Sequence, residues 1–187
     1  MSEAEFASGL LVAMPQLQDP NFKRVVVQLI EHDEQGTFGL VLNREVDLTA
    51  FDLCDSLELD WNGDPETRIR WGGPVQSNTG WVLFGDDVAL EMGGEPVQQV
   101  VPGMSFAGSL SVLQAVAEQP PEDVRLFLGY AGWSPGQLES EIAAGAWLFA
   151  PPSADVVFEV APDDMWDTVV RGLGVNPATL ISTSGVH

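Results

Sequence analysis

Residues 24–31, RVVVQLIE, constrain this chain more than any other stretch. Their apolar, largely β-branched residues fall at consecutive positions, so both faces of the segment need burial. An interior strand meets that need. DEQG (33–36) then turns the chain and TFGLVLNR (37–44) returns it. Two strand-like runs joined by a short turn ending in glycine predict a β-hairpin.

The remaining elements are read around that hairpin. GLLVAM (9–14) is a short strand stopped by Pro15. RIRW (68–71) and GWVLF (80–84) are strands joined through GGPVQSN, in which GGPV is expected to be a tight turn. DVRLFLGYAG (123–132) is another buried strand, and AWLFAP (146–151) and DVVFEV (155–160) are expected as strands too. Four segments have helical spacing and end signals. DLTAFDLCDSLEL (47–59) has Thr49 or Asp47 near its N-cap, and GSLSVLQAVAEQ (108–119) is closed by Pro120 and Pro121. SPGQLESEIAAG (134–145) and PDDMWDTVVRGLG (162–174) are the others, the last with Pro162 in its first turn. Strands and helices mix without regular βαβ alternation, so the expected class is α+β. A length of 187 residues suits one domain, 1–187.

Charge narrows the function. The chain carries 28 acidic and 7 basic residues, a net charge of −21. Binding a polyanion requires cations that displace its counterions. Direct binding to nucleic acid or to an anionic membrane surface is therefore excluded as an expectation. The N-terminus has no basic region ahead of its apolar run, and no apolar stretch approaches spanning length. The expected location is the cytoplasm. Cys54 is the sole cysteine, so no intrachain disulfide can form, and its helical apolar surroundings predict a buried thiol.

GWSPG (132–136) spells the nucleophile elbow of α/β-hydrolases. The spelling misleads. The residue after the serine should donate its N–H to the oxyanion, and Pro135 has none. Only His32 and His187 could serve as a base, and His187 ends the chain. A helix start satisfies the same residues: Ser134 as N-cap, Pro135 at N1 and Gln137 at N3 complete an S-x-x-Q capping box.

EHDE (31–34) is read as a solvated hairpin tip. On a strand Glu31 and His32 point to opposite faces, and a histidine set for a metal is missing. Arg44 ends the returning strand and is expected to be paired with Glu31, Asp19 or Asp47, because arginine is seldom buried alone.

GLLVAMPQLQDPNFKRVVVQLIEHDEQGTFGLVLNR, WGGPV and GYAGWSPGQLESEIAAGAW occur in order, and with them the chain resembles the YqgE/AlgH family of bacterial proteins from Gly9 to the 162–174 helix. Val25, Thr37 and Glu45 depart from residues common in that family. The resemblance implies one α+β domain whose bifurcated mixed sheet closes into a pseudo-barrel with helices packed outside. It also implies a bacterial cytoplasmic protein. Some members carry the label of transcriptional regulator, but the charge and the lack of a basic recognition helix oppose direct DNA binding here.

The leading expectation is a non-enzymatic binding or interaction protein without cofactor or metal. Its partner would be an unknown protein or a small anionic ligand, held near the hairpin and the helix after Trp133. The candidate residues are Glu31, His32, Asn43, Arg44, Gly73, Trp133 and Gln137. A regulator acting through a protein partner, and an enzyme of unrecognised type with hydrolase first, stay open as alternatives. So does the oligomeric state.

Overall fold

A computed structural model describes residues 8–14, 22–85 and 98–178. Among them are ten strands and five helices. The predicted hairpin is β2 (Val26–Asp33) and β3 (Gly36–Val41), with a register irregularity between Leu29 and Glu31. β2 lies between β3 and β1 (Leu10–Ala13), and its first five residues are all buried, as its two apolar faces require. β10 (Trp147–Ala150) pairs on the far side of β1.

The sheet divides at β9 (Val124–Trp133). Phe127 of β9 pairs with both Arg70 of β5 (Arg68–Trp71) and Trp81 of β6 (Val75–Phe84), so β5 and β6 occupy opposite edges. β3 continues along the β5 edge at Ala131 to Trp133. The chain must therefore cross β9 between Trp71 and Val75. That crossing presses backbone on backbone. A Cβ at Gly73 would lie 2.1 Å from the Tyr130 carbonyl carbon, and one at Gly72 would lie 2.3 Å from the Gly129 oxygen. GGPV is a crossover and not the expected tight turn, because its glycines are needed for close approach.

β4 (Glu45–Thr49) pairs with β5, while β7 (Gln98–Val101) and β8 (Met104–Ala107) extend the sheet beyond β6. The β5–β9 pairing is parallel and the other described pairings are antiparallel. The main path runs open, from β10 through β1, β2, β3, β9, β6 and β8 to β7. Its two ends do not pair among the described residues, so the implied closure into a pseudo-barrel is not found.

Helices pack on both faces of this open sheet. α4 (Ala154–Glu159) and α5 (Pro162–Gly172) bury Val157, Phe158, Met165 and Trp166 against Leu10, Ile30, Leu83 and Phe127, and Val100 and Val101 of β7 pack on the same cluster. Residues from both ends of the strand path, Ala150 of β10 and Val100 and Val101 of β7, thus share one hydrophobic cluster with these two helices. α1 (Ala50–Ser56) and α2 (Leu110–Glu118) cover the opposite face around Ile69, Val82 and Leu126. α3 (Gln137–Ala143) inserts Leu138 against Val27 and Leu29.

α4 replaces the strand expected at DVVFEV. Ser153 caps it by accepting from the Val156 N–H at 3.2 Å, and Asp155 sits in its first turn. The cap and the burial of Val157 and Phe158 outweigh the strand preference of the valines. Thr49 caps α1 as expected, accepting from the Asp52 N–H at 3.1 Å.

Candidate functional site

The structure distributes the expected site residues between the two ends of the β2–β3 hairpin. At the tip, a groove of about 510 Å³ opens between the hairpin and the start of α3. Glu31, Asp33, Thr37, Tyr130, Trp133 and Ser134 line it. His32 lies with its Nδ1 2.6 Å from Thr37 Oγ1 and its Nε2 3.9 Å from Glu139. Two carboxylates on the rim make this an unfavourable place for an anion.

Trp133 and Gln137 serve a structural centre there. Glu141 accepts from the Trp133 indole at 3.0 Å, the Trp147 indole at 2.9 Å and Gln137 Nε2 at 2.9 Å. Gly73 is buried in the crossover. Ser134 does not cap α3 with its hydroxyl. The helix starts at Gln137 behind Gly136, whose φ is +80°. Half of the expected capping box is present, since Gln137 Oε1 accepts from the Ser134 N–H at 2.9 Å. The Pro135–Gly136 turn displaces the helix start from the serine.

Asn43 and Arg44 belong to a second groove, of about 570 Å³. Lys23, Arg24 and Arg44 line it together with Asn43, and Pro162, Asp163, Trp166 and Asp167 of α5 form the opposite wall. The chain enters β2 through a turn in which Arg24 adopts a φ of +54°, uncommon for a residue with a side chain. Asn43 holds that turn: its Nδ2 donates to the Arg24 carbonyl at 2.9 Å, and its Oδ1 accepts from the Val26 N–H at 2.9 Å. Arg44 Nη2 donates to the Lys23 carbonyl. The Arg24 guanidinium lies 5.3 Å from the Trp166 ring centre, and Trp166 is itself fixed by donating to the Ala13 carbonyl at 2.8 Å.

Arg44 thus differs from its expected role. It makes no ion pair among the described residues. Glu31 pairs opposite Phe38 near the hairpin tip, Asp47 lies 3.5 Å from Arg68, and Asp19 is outside the described residues. Its guanidinium braces a backbone carbonyl and borders the groove instead.

The seven cations sort by environment. Lys23, Arg24 and Arg44 share the groove, Arg68 faces Asp47, Arg171 sits in the last turn of α5, Arg70 is buried and Arg125 is half-buried. Three of seven in one groove is a strong concentration for a chain of net charge −21. Sequence reasoning misses Lys23, Arg24, Trp166 and Glu141. The adjacent Lys23–Arg24 pair, in a chain so poor in cations, is the available signal. Among the described residues no group of three His, Cys, Asp or Glu side chains is placed to hold a metal ion, and no helix is long and apolar enough to cross a membrane.

The AlgH-like family model, DUF179, matches residues 10–178. The chain belongs to the AlgH-like family. It is 44% identical to a UPF0301 protein of Myxococcus xanthus, over 97% of this chain and 98% of that one. A UPF0301 protein of Thioalkalivibrio sulfidiphilus is 38% identical, with 100% of this chain and 98% of the relative covered. The solution structure of AlgH from Pseudomonas aeruginosa superposes with a TM-score of 0.77 at 34% identity, covering 97% of this chain and 95% of that one. Protein DIP2367 from Corynebacterium diphtheriae gives 0.69 at 25% identity, with 92% and 88% covered. Membership in the AlgH-like family fixes a fold, and function must still be argued from the site.

Proposed function

We propose that this AlgH-like protein is a non-enzymatic binding protein whose ligand presents a carboxylate or phosphate group to the groove of Lys23, Arg24 and Arg44. The ligand is a small anion, or the same group on a partner protein. The observation that carries the reading is the convergence of three of the chain's seven cations on a turn held by Asn43. Guanidinium and ammonium donors suit oxyanions, and arginine does so with a planar fork. Asp163 and Asp167 across the groove disfavour an extended polyanion, in keeping with the charge argument against direct nucleic-acid binding.

Thermal melts of the wild type and Arg44→Ala with phosphate, sulfate, acetate and citrate test this reading. The variant should melt slightly lower without ligand, because it loses the bond to the Lys23 carbonyl. It should also lose most of the stabilisation that an effective anion gives the wild type. Equal anion-induced shifts in both proteins would contradict the reading.

A further inference from the structure

α1 and α2 both pack on the sheet face that carries Val82, Leu126 and Leu128, and a pocket of about 220 Å³ remains between them. Leu53 of α1 and Leu113 of α2 form its side walls, and the three sheet residues form its floor. A cavity of about 150 Å³ with such walls is enough to take up benzene. This one therefore admits a larger ring or a short chain. Gly80 on the same lining leaves further room, since a Cβ there would meet nothing closer than 3.8 Å.

The pocket opens to solvent. Leu57 and Leu110 line it and are 42% and 61% exposed, so they stand at its mouth. Exposed leucines around an open apolar pocket leave surface in water that a ligand with an apolar tail would cover.

Charge selects the other end of that ligand. The segment 45–66, which includes α1, contains no base and places the exposed Asp52, Asp55 and Glu58 around Leu53 and Leu57 in sequence. The segment 71–124, which includes β6 and α2, contains no base either. Arg125 precedes Leu126 but turns to the other face, where it donates to the Phe158 carbonyl. α1 brings its C-terminal end to the mouth and α2 its N-terminal end, so the two helix dipoles oppose each other and side-chain charge decides. In a chain of net charge −21 that charge is negative, and it disfavours a carboxylate or phosphate at the mouth.

We propose that this pocket binds a small cationic amphiphile, an ammonium group on a short apolar chain or single ring. The tail fills the space between Leu53, Leu113 and Leu126. The ammonium stays in water at the mouth, where the exposed Asn78 amide oxygen can accept from it. The site is separate from the Lys23–Arg24–Arg44 groove, takes the opposite charge and does not rest on that reading.

Methyl 1H–13C NMR of the full chain, labelled at leucine and valine, reads the pocket directly while octylamine, octanol and octanoate are titrated. Octylamine should shift the methyls of Leu53, Leu113 and Leu126 along one saturation curve. It should bind about tenfold tighter than octanoate at low ionic strength, with octanol between them, and the gap should narrow as salt rises. Gly80→Val, which narrows the pocket where a side chain fits, should weaken octylamine several-fold. Leu110→Lys, at an exposed position, should weaken octylamine and strengthen octanoate, and serves if the first variant does not fold. Methyls unmoved by octylamine would overturn the proposal. So would octanoate binding as tightly as octylamine, or an unchanged order of affinity in Leu110→Lys. Shifts of the same methyls on dilution of the ligand-free protein would overturn it too, because a second copy of the chain would then cover the pocket.

Discussion

Asn43 locks Arg24 into its left-handed turn, donating to the Arg24 carbonyl and accepting from the Val26 N–H, both at 2.9 Å. Val26 is fully buried, so removing the acceptor leaves a donor that water cannot reach. Asn43→Ala should cost about 2 kcal/mol, within the usual range for an orphaned buried group. Asn43→Asp keeps the acceptor and loses the donor, so it should cost less, about 1 kcal/mol. Urea midpoints of the two variants give the comparison. Equal and negligible losses would mean that the turn holds itself.

Gly73 is required by the crossover over Tyr130. Its φ is +154°, and an added Cβ would meet the Tyr130 backbone at 2.1 Å. Gly73→Ala should therefore cost about 4 kcal/mol or more, or prevent folding. Gly136 has a φ of +80°, and an added Cβ there would meet nothing within 4 Å. Gly136→Ala should cost only about 1–2 kcal/mol, the penalty of the left-handed conformation alone. Melting both variants separates steric approach from conformational freedom.

Glu141 joins Trp133, Trp147 and Gln137 through its carboxylate. Glu141→Ala leaves two indole N–H groups without their acceptor and should destabilise by about 2–3 kcal/mol. Near-ultraviolet circular dichroism should lose intensity in the tryptophan band, because both rings lose their anchor. An unchanged band would show that packing alone orients them.

The hairpin, the α1 cap and the buried β9 are legible in the sequence because each depends on neighbours along the chain. RVVVQLIE needs burial on both faces wherever it lies, and Thr49 caps whatever helix follows it. The crossover at Gly72 and Gly73 is not legible, since their neighbours across space are Gly129 and Tyr130. β4 carries little signal of its own because EVDLT gains its strand form from β5. DVVFEV reads as a strand but folds as a helix, because valine's strand preference is weaker than the Ser153 cap and the core beneath α4. The candidate site is legible in part: Asn43 and Arg44 do border a groove. Its other cations, Lys23 and Arg24, precede β2 and meet Asn43 and Arg44 only across the base of the hairpin, and Trp166 comes from α5. Glu31 reaches a different groove because it stands near the hairpin tip, and Trp133 reaches the same one because the end of β9 pairs there with Thr37.

Cys54 is fully buried, and burial pushes its thiol pKa up. The folded chain keeps that proton where the unfolded chain has lost it. The associated stability is complete below the ordinary thiol value and is lost as pH rises from there through the raised folded value. A disulfide-exchange reagent should leave Cys54 unmodified in the native protein and react fully in denaturant. Rapid native-state labelling at neutral pH would show that the α1 packing opens.

The location of the bound anion tests the account most directly. Backbone and side-chain amide signals of 15N-labelled protein are followed while phosphate, acetate and citrate are titrated at constant ionic strength. The account predicts saturable shifts at the Asn43 side-chain amide and the backbone amides of Arg24, Arg44 and Asp163, with the tip groove at Glu31 and Trp133 unmoved. Saturable shifts confined to Glu31, Thr37 and Trp133, or none at Arg24, Asn43 and Arg44 with any of the three anions, would contradict it.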